Sequence, residues 1–323
     1  MSPIQPKIIF SEEYDIHFMG LEKLHPFDTR KYSRAWQEAK NTLGDVLETH
    51  TIRPSMPIDA HDLLRVHSPE YLNELCSTHY IARAIEMPII APFPYGMVES
   101  HLLKPMQYAT QGTVMAAELA MTHHITVNLG GGYHHASANR GEGFCLYADI
   151  AIAIESLHQK GAISAQSQAV IIDLDAHQGN GNSRVFRDKN YAFLFDMYNA
   201  AIYPNDNFAQ ERIDYGIMLN SGCNSSTYLD LLYHKLPEAL KRAKKPSIAF
   251  YIAGTDPYEH DMLGGLRLSE VAIFERDKFV IETIVNLGIP LVMVLGGGYH
   301  RQSYQMISRT LIYIMEKWGV HAR

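Results

Sequence analysis

The sequence lacks any uncharged apolar run of eighteen or more residues among its 323. A bilayer-crossing helix needs about that many, so no membrane span is expected. The first eleven residues hold one Lys and two Pro, with no apolar run ahead of a small-residue cleavage site, which argues against a secretory leader. Cysteine is scarce: Cys76, Cys145 and Cys223 lie far apart and no CxxC occurs. That excludes a disulfide framework and a thiolate zinc site, and it fits a reducing cytoplasmic compartment. The net charge is -7, so no nucleic-acid partner is expected. The acidic balance serves solubility, and an acidic rim would also attract a basic partner such as a lysine-bearing peptide. HExxH, GxSxG and Walker A motifs are absent, and the glycine runs do not form GxGxxG. No Pro/Gly/Ser-rich linker or low-complexity segment divides the chain, so residues 1–323 read as one domain.

What is present is a substantial core. Hydrophobic residues make up 46% and charged residues 20%. Nearly continuous apolar runs at 7–10, 125–129, 169–174, 191–196, 247–252 and 290–295 read as strands buried on both faces. Segments of helical length lie between them, at 106–122, 148–160, 227–244, 269–287 and 304–318. This alternation predicts βαβ units around one central parallel sheet, an α/β fold. The hexapeptide Leu-Gly-Gly-Gly-Tyr-His occurs twice, at 129–134 and 295–300, each time after an apolar run. Two copies so far apart are no solenoid. They read as strand-end loops that approach a common site, where glycine lets backbone come close.

The polar clusters sit at the carboxyl ends of these strands, where open parallel sheets bind ligands. Asp173, Asp175 and His177 follow the run at 169–174. Side chains two apart on extended chain point the same way, so Asp175 and His177 reach one ion, with Asp173 deeper as a partner to a histidine or to a different ion. An acidic turn is the bland alternative, and two Asp and one His in five residues directly after a buried strand speak against it. Asp256, before Pro257, is ordinary turn chemistry taken alone. Beside the first cluster it supplies a third ligand, and two carboxylates with one imidazole leave an open position, as catalytic zinc requires. Ureohydrolases with two manganese ions want a further Asp at position 179, which is Gly here, so a single-metal site is favoured. His134 and His135 follow a glycine run and suit proton transfer. His123 and His124 read instead as a helix end. Tyr299, on the second glycine loop, can donate a hydrogen bond to an oxyanion, although one tyrosine among 19 is a weak signal.

Taken together, these residues resemble the zinc-dependent histone deacetylase superfamily, most closely its class IV branch. The resemblance runs through nearly the whole chain. It is carried by Phe-Met-Gly-Leu-Glu-Lys-Leu-His-Pro-Phe-Asp at 18–28, Val-His-Ser-Pro-Glu-Tyr-Leu at 66–72, and the segments 130–135, 141–145, 173–181, 202–204, 253–256, 263–266 and 296–299. It implies an arginase/deacetylase fold with an eight-stranded parallel sheet. It implies Zn2+ on Asp175, His177 and Asp256, with a structural K+ using Asp173 and the backbone around Asp175 and His177. His135 would be the general base and then acid, His134 backed by Asp173 would give electrostatic support, and Tyr299 would polarise the acyl carbonyl. Gly143, Phe144, Tyr203, Leu263, Gly297 and Gly298 would contact substrate, with Phe144 and Tyr203 lining a tunnel for lysine methylenes and Leu263 at its mouth. Asn180 stands where class I members carry Asp, so the partner of His135 is neutral. A cationic residue that helps the acid product leave would be Arg30 or Lys31. The implied substrate is an acyl-lysine peptide or protein, with long fatty acyl chains suggested by the class IV likeness. Two other readings are a deacetylase of small acylated amines, gated by Glu99, Glu259 or Asp261, and a non-catalytic binding protein on the same fold. Cys145, beside Phe144, reads as a small buried apolar group.

Overall fold

Each apolar run becomes a strand of a single sheet in the computed structural model, which describes residues 4–164 and 166–319. The extreme residues of the expected 1–323 domain lie outside the described residues. The strands are β1 (Lys7–Ile9), β2 (Thr51–Ile52), β3 (Ile125–Asn128), β4 (Gln168–Asp173), β5 (Ala192–Asn199), β6 (Tyr215–Leu219), β7 (Pro246–Ile252) and β8 (Leu291–Val294). Every pairing is parallel, in the order β2-β1-β3-β8-β7-β4-β5-β6. The eight-stranded α/β architecture is therefore present. Two of its strands left little trace in the sequence. β2 has only two residues, and β6 alternates in burial because it is an edge strand.

β3, β5 and β8 are buried at every position, so side chains of both parities are covered. The covering helices include α1 (Lys31–Leu43), α2 (Lys104–His123), α3 (Asp149–Gln159), α4 (Asn180–Val185), α5 (Ser225–Leu240), α6 (Glu270–Asn286) and α7 (Ser303–Ile314). α2 packs on α3 and runs over β1, β3 and β8, while α1, α7, α6 and α5 pack in succession. Each fully buried Ile, Leu or Val of the central strands contributes roughly 1.5–3 kcal/mol. Side-chain caps fix two starts: Asn224 accepts from the Thr227 amide and Ser269 from the Ala272 amide. The helix expected to reach 244 stops at Leu240, because 241–245 is Lys-Arg-Ala-Lys-Lys and has almost nothing to bury. His123 ends α2 and His124 turns out of it with φ 66°, as read from the sequence.

The chain passes from β3 to β4 and only later fills the gap between them with β7 and β8. As a result β3, β8, β7 and β4 are consecutive neighbours, and the four polar clusters follow the carboxyl ends of these four strands. The reversal of strand order at this point opens the crevice in which such sheets bind ligands.

Candidate active site

Three of the four strand-end loops are laced together through backbone. Leu295 N–H donates to Gly130 O, Gly296 N–H to Gly131 O, and Thr255 N–H to Gly297 O. A Cβ on Gly132, which has φ +77°, would meet Gly296 N at 2.6 Å, so the two glycine runs do approach one another as their repetition suggested. Asp149 Oδ2 and Oδ1 accept from the Gly132 and Tyr133 amides at 2.9 Å, holding the first run from the start of α3.

Asp175, His177 and Asp256 come together and are buried, with one ligand atom from each within 4.8 Å of the others. Backbone amides aim the carboxylates: Gly297 N–H donates to Asp175 Oδ2 at 2.6 Å, and Ala176 N–H to Asp256 Oδ1 at 2.9 Å. Glycine makes the convergence possible. A Cβ on Gly254 would stand 2.5 Å from Asp175 Oδ2, and one on Gly297 would run into both carboxylates. Burial and the nearby charge of Asp175 push Asp256 up to about 7. Burial would lower His177, but its two carboxylate neighbours outweigh it and raise the imidazole to about 10. This donor set carries more negative charge than one imidazole balances, and two carboxylates with one nitrogen fit a divalent cation with a position left open.

His134 and His135 stand side by side, ring centroids 4.1 Å apart, yet their surroundings drive them in opposite directions. His134 Nδ1–H donates to Asp173 Oδ2 at 2.9 Å. Burial disfavours its charge, but Asp173 and Asp175 outweigh that and raise it to about 9. His135 Nδ1 lies 2.7 Å from Asn180 Oδ1. The amide orientation is set because Asn180 Nδ2 donates to Glu142 Oε1 at 2.9 Å. Asn180 Oδ1 is therefore the acceptor, His135 carries its proton on Nδ1, and Nε2 keeps its lone pair. Burial, then the neighbouring His134 and His177, hold His135 well below the ordinary histidine value. Adjacent groups pushed apart in this way can divide acid and base roles.

Tyr299 packs edge-on against His177 at 5.9 Å and Phe144 at 6.0 Å. Burial, then the charges of Asp175 and Asp256, keep its hydroxyl protonated. His135, Tyr299, Phe144, Gly143 and Gly297 line one cavity. Gly143 has φ +54°, and a Cβ there would strike the His135 ring. Tyr203 lies 5.1 Å from His135, ring to ring, and is 42% exposed, while Leu263 is 37% exposed. Gly298 is not a lining residue of this cavity. It faces Thr255, Ser303 and the Lys31 ammonium. A second pocket shares Phe27, Tyr133 and Phe144 with the first. Its other walls are mostly apolar, including Ile16, Phe18, Ile85, Met87, Leu102 and Met106.

Between Arg30 and Lys31, the structure distinguishes clearly. Arg30 is half-exposed and paired with Asp28 at 3.1 Å. Lys31 is buried, and its Nζ donates to the carbonyls of Gly296, Gly297 and Gly298, each at 3.2 Å. Burial lowers its pKa to about 8 despite the carboxylates around it. Asp261, considered for a gate, is committed to the loop that carries Tyr299: it accepts from the amides of Tyr299 at 2.7 Å, Leu263 at 2.9 Å and Gly264 at 3.1 Å. The gripping roles of Asp149 and Asp261 were invisible beforehand, since each lies far in sequence from the loop it holds. All three cysteines are free, and burial raises the Cys145 thiol well out of the reactive range.

Comparison with known proteins places this geometry in context. Residues 25–315 match the model of the histone deacetylase domain. "Histone deacetylase 2" of Arabidopsis thaliana is 41% identical over 308 residues, covering 94% of this chain and 77% of the relative. An uncharacterized protein of Picosynechococcus is 32% identical over 266 residues, covering 82% and 84%. Among solved structures, an HDAC homolog from Aquifex aeolicus superposes with a TM-score of 0.74 at 25% identity, covering 98% of this chain and 84% of that one.

Proposed function

The chain belongs to the histone deacetylase family, and from that premise we propose that it is a zinc-dependent amidohydrolase that removes acyl groups from lysine side chains of peptides or proteins. The supporting observation is that Asp175, His177 and Asp256 converge, with the His177 ring 6.0 Å from His135 and 5.9 Å from Tyr299, and that these last two rings line one pocket. Zinc held by these three ligands would lower the pKa of a water molecule and polarise the acyl carbonyl. The remaining steps fall to side chains of this protein. Gly143, Phe144 and Tyr203 hold the lysine methylenes, with Leu263 at the entrance. His135 Nε2 takes the proton of the attacking water. The Tyr299 hydroxyl donates to the carbonyl oxygen as it gains charge, and the backbone at Gly297 shapes that side of the site. His135 then delivers its proton to the departing amine. His134, bonded to Asp173, stabilises the charge that builds beside it. Lys31, buried against the Gly296, Gly297 and Gly298 carbonyls, is favoured over Arg30 as the cation that meets the carboxylate product.

A structural K+ belongs to the same reading. Asp173 pairs in register with Asp196 across β4 and β5, and Asp196 Oδ1 is buried without a hydrogen-bond partner, an arrangement that suits a cation. The catalytic domain spans 1–323 in this view, its closest kinship is with class IV, and its setting is cytoplasmic. Among the described residues, no helix is long and apolar enough to cross a membrane. The apolar cavity that adjoins the site favours long fatty acyl chains over acetyl. An acyl-length scan on lysine peptides, from acetyl to myristoyl, with acetylspermidine and a chelator control, tests all of this. Myristoyl turnover exceeding acetyl, abolished by chelator and restored by Zn2+, is the expected result. Acetyl turnover equal or better removes the fatty-acyl preference. Preference for acetylspermidine replaces the lysine substrate with a small amine. One bound zinc with no hydrolysis of any amide supports a binding protein instead.

A further inference from the structure

Among the described residues, the largest fully buried side chain is a cation the chemistry above does not use. Arg276, on α6, has no solvent exposure. Its Nη1 donates to two carbonyls at once, Gly254 O at 2.7 Å and Leu174 O at 3.1 Å. Leu174 immediately precedes Asp175, and Gly254 stands two residues before Asp256. Both lie just past the ends of neighbouring strands, β4 and β7. One nitrogen therefore ties together the two backbone segments that present the carboxylate ligands.

The other side of the guanidinium is fixed in turn. Nε and Nη2 donate to Asp277 Oδ1 at 2.9 and 2.7 Å. Tyr251, within β7, donates to the same oxygen at 2.5 Å, and Thr310, on α7, donates to Asp277 Oδ2 at 2.7 Å. The planar fork is thus held in one orientation by groups from α6, α7 and β7. Burying an ion pair is costly, and apolar residues of similar volume often serve stability as well. Two orphan carbonyls could be satisfied by a neutral donor or by water. What the fixed fork adds is a set distance between the carbonyls that precede Asp175 and Asp256.

We propose that Arg276 is a positioning residue for the metal centre: by bridging the Leu174 and Gly254 carbonyls it sets the spacing of Asp175 and Asp256, and with it metal affinity and coordination geometry. The inference rests on the metal-site reading above. The test uses the full chain, its R276K variant, which keeps the charge but loses the fork, and R276M. Zn2+ affinity is measured by competition with a chromophoric chelator, the visible absorption spectrum of the Co2+-loaded protein is recorded, and melting is followed in the metal-free form. Both variants are expected to bind Zn2+ about tenfold or more weakly, the scale seen when partners outside the ligand set are lost, and to give an altered Co2+ spectrum. Affinity and spectrum equal to wild type, with only the melting temperature lowered, would confine Arg276 to stability and overturn the proposal. Should R276M not fold, R276K alone decides by the same criteria. Wild type that binds no stoichiometric metal overturns the functional reading and this one together. Wild type that binds one ion, with variants that match it, sinks only the positioning role.

Discussion

His67 should make the protein acid-sensitive. Its ring is 2% exposed and uses both nitrogens in the neutral form: Nδ1–H donates to Ala138 O at 3.2 Å, and Nε2 accepts from the Ala148 amide at 3.0 Å. These two contacts bracket the segment carrying Gly143 and Phe144, so His67 staples the base of a substrate wall. A second proton would have to displace the Ala148 bond inside a buried site, and burial lowers the pKa from 6.5 to about 4. Because the folded value is depressed, the unfolded chain takes up the proton first as pH falls. The stability contribution is then complete above about pH 6.5 and drains away as pH drops towards 4. A gap of about 2.5 pH units corresponds to about 3 kcal/mol at the acid limit, and about 2.5 kcal/mol at pH 4.5. Urea unfolding of wild type and His67→Gln at pH 7.5 and 4.5 measures this. Glutamine can make both hydrogen bonds and does not titrate, so wild type should lose about 2.5 kcal/mol relative to the variant between those two pH values. Parallel stabilities at the two pH values would refute the reasoning, since the neutral ring would then have no cost to bear.

Three further outcomes follow from the site. Tyr299→Phe should bind metal normally but lose turnover by about 10²-fold or more, the scale of an oxyanion donor; near-normal turnover would remove the hydroxyl from the chemistry, and residual hydrolysis above a few per cent in His135→Ala would point to another base. Gly297→Ala should lose metal, because the methyl enters the space between Asp175 and Asp256; a metal titration showing one tightly bound ion would contradict this. Asn180→Asp should melt earlier and turn over more slowly, because it sets a carboxylate against Glu142, whose Oε1 now accepts from the Asn180 amide; Glu142→Gln in the same background should recover both, and an unaffected single variant would show that the pair does not matter.

The sequence alone determined the α/β class, six of the strands and the polar clusters that the structure brings together. It could do so because a sheet buried on both faces needs continuous apolar runs, and because ligands brought in by a strand end announce themselves as polar residues directly after such a run. Asp175 with His177, the His134–His135 pair and Tyr299 were all legible for that reason. Only the tertiary structure decided which strands are neighbours, and hence that Asp256 faces Asp175. It also decided that Lys31 rather than Arg30 is buried, that Asp261 holds a loop instead of guarding an entrance, and that Arg276 clasps two ligand segments. Strand order is set by long-range pairing, and a contact between residues a hundred positions apart leaves no local pattern. Short or edge strands such as β2 and β6 stayed hidden for a related reason: two residues have no periodicity, and an edge has only one neighbour to enforce it.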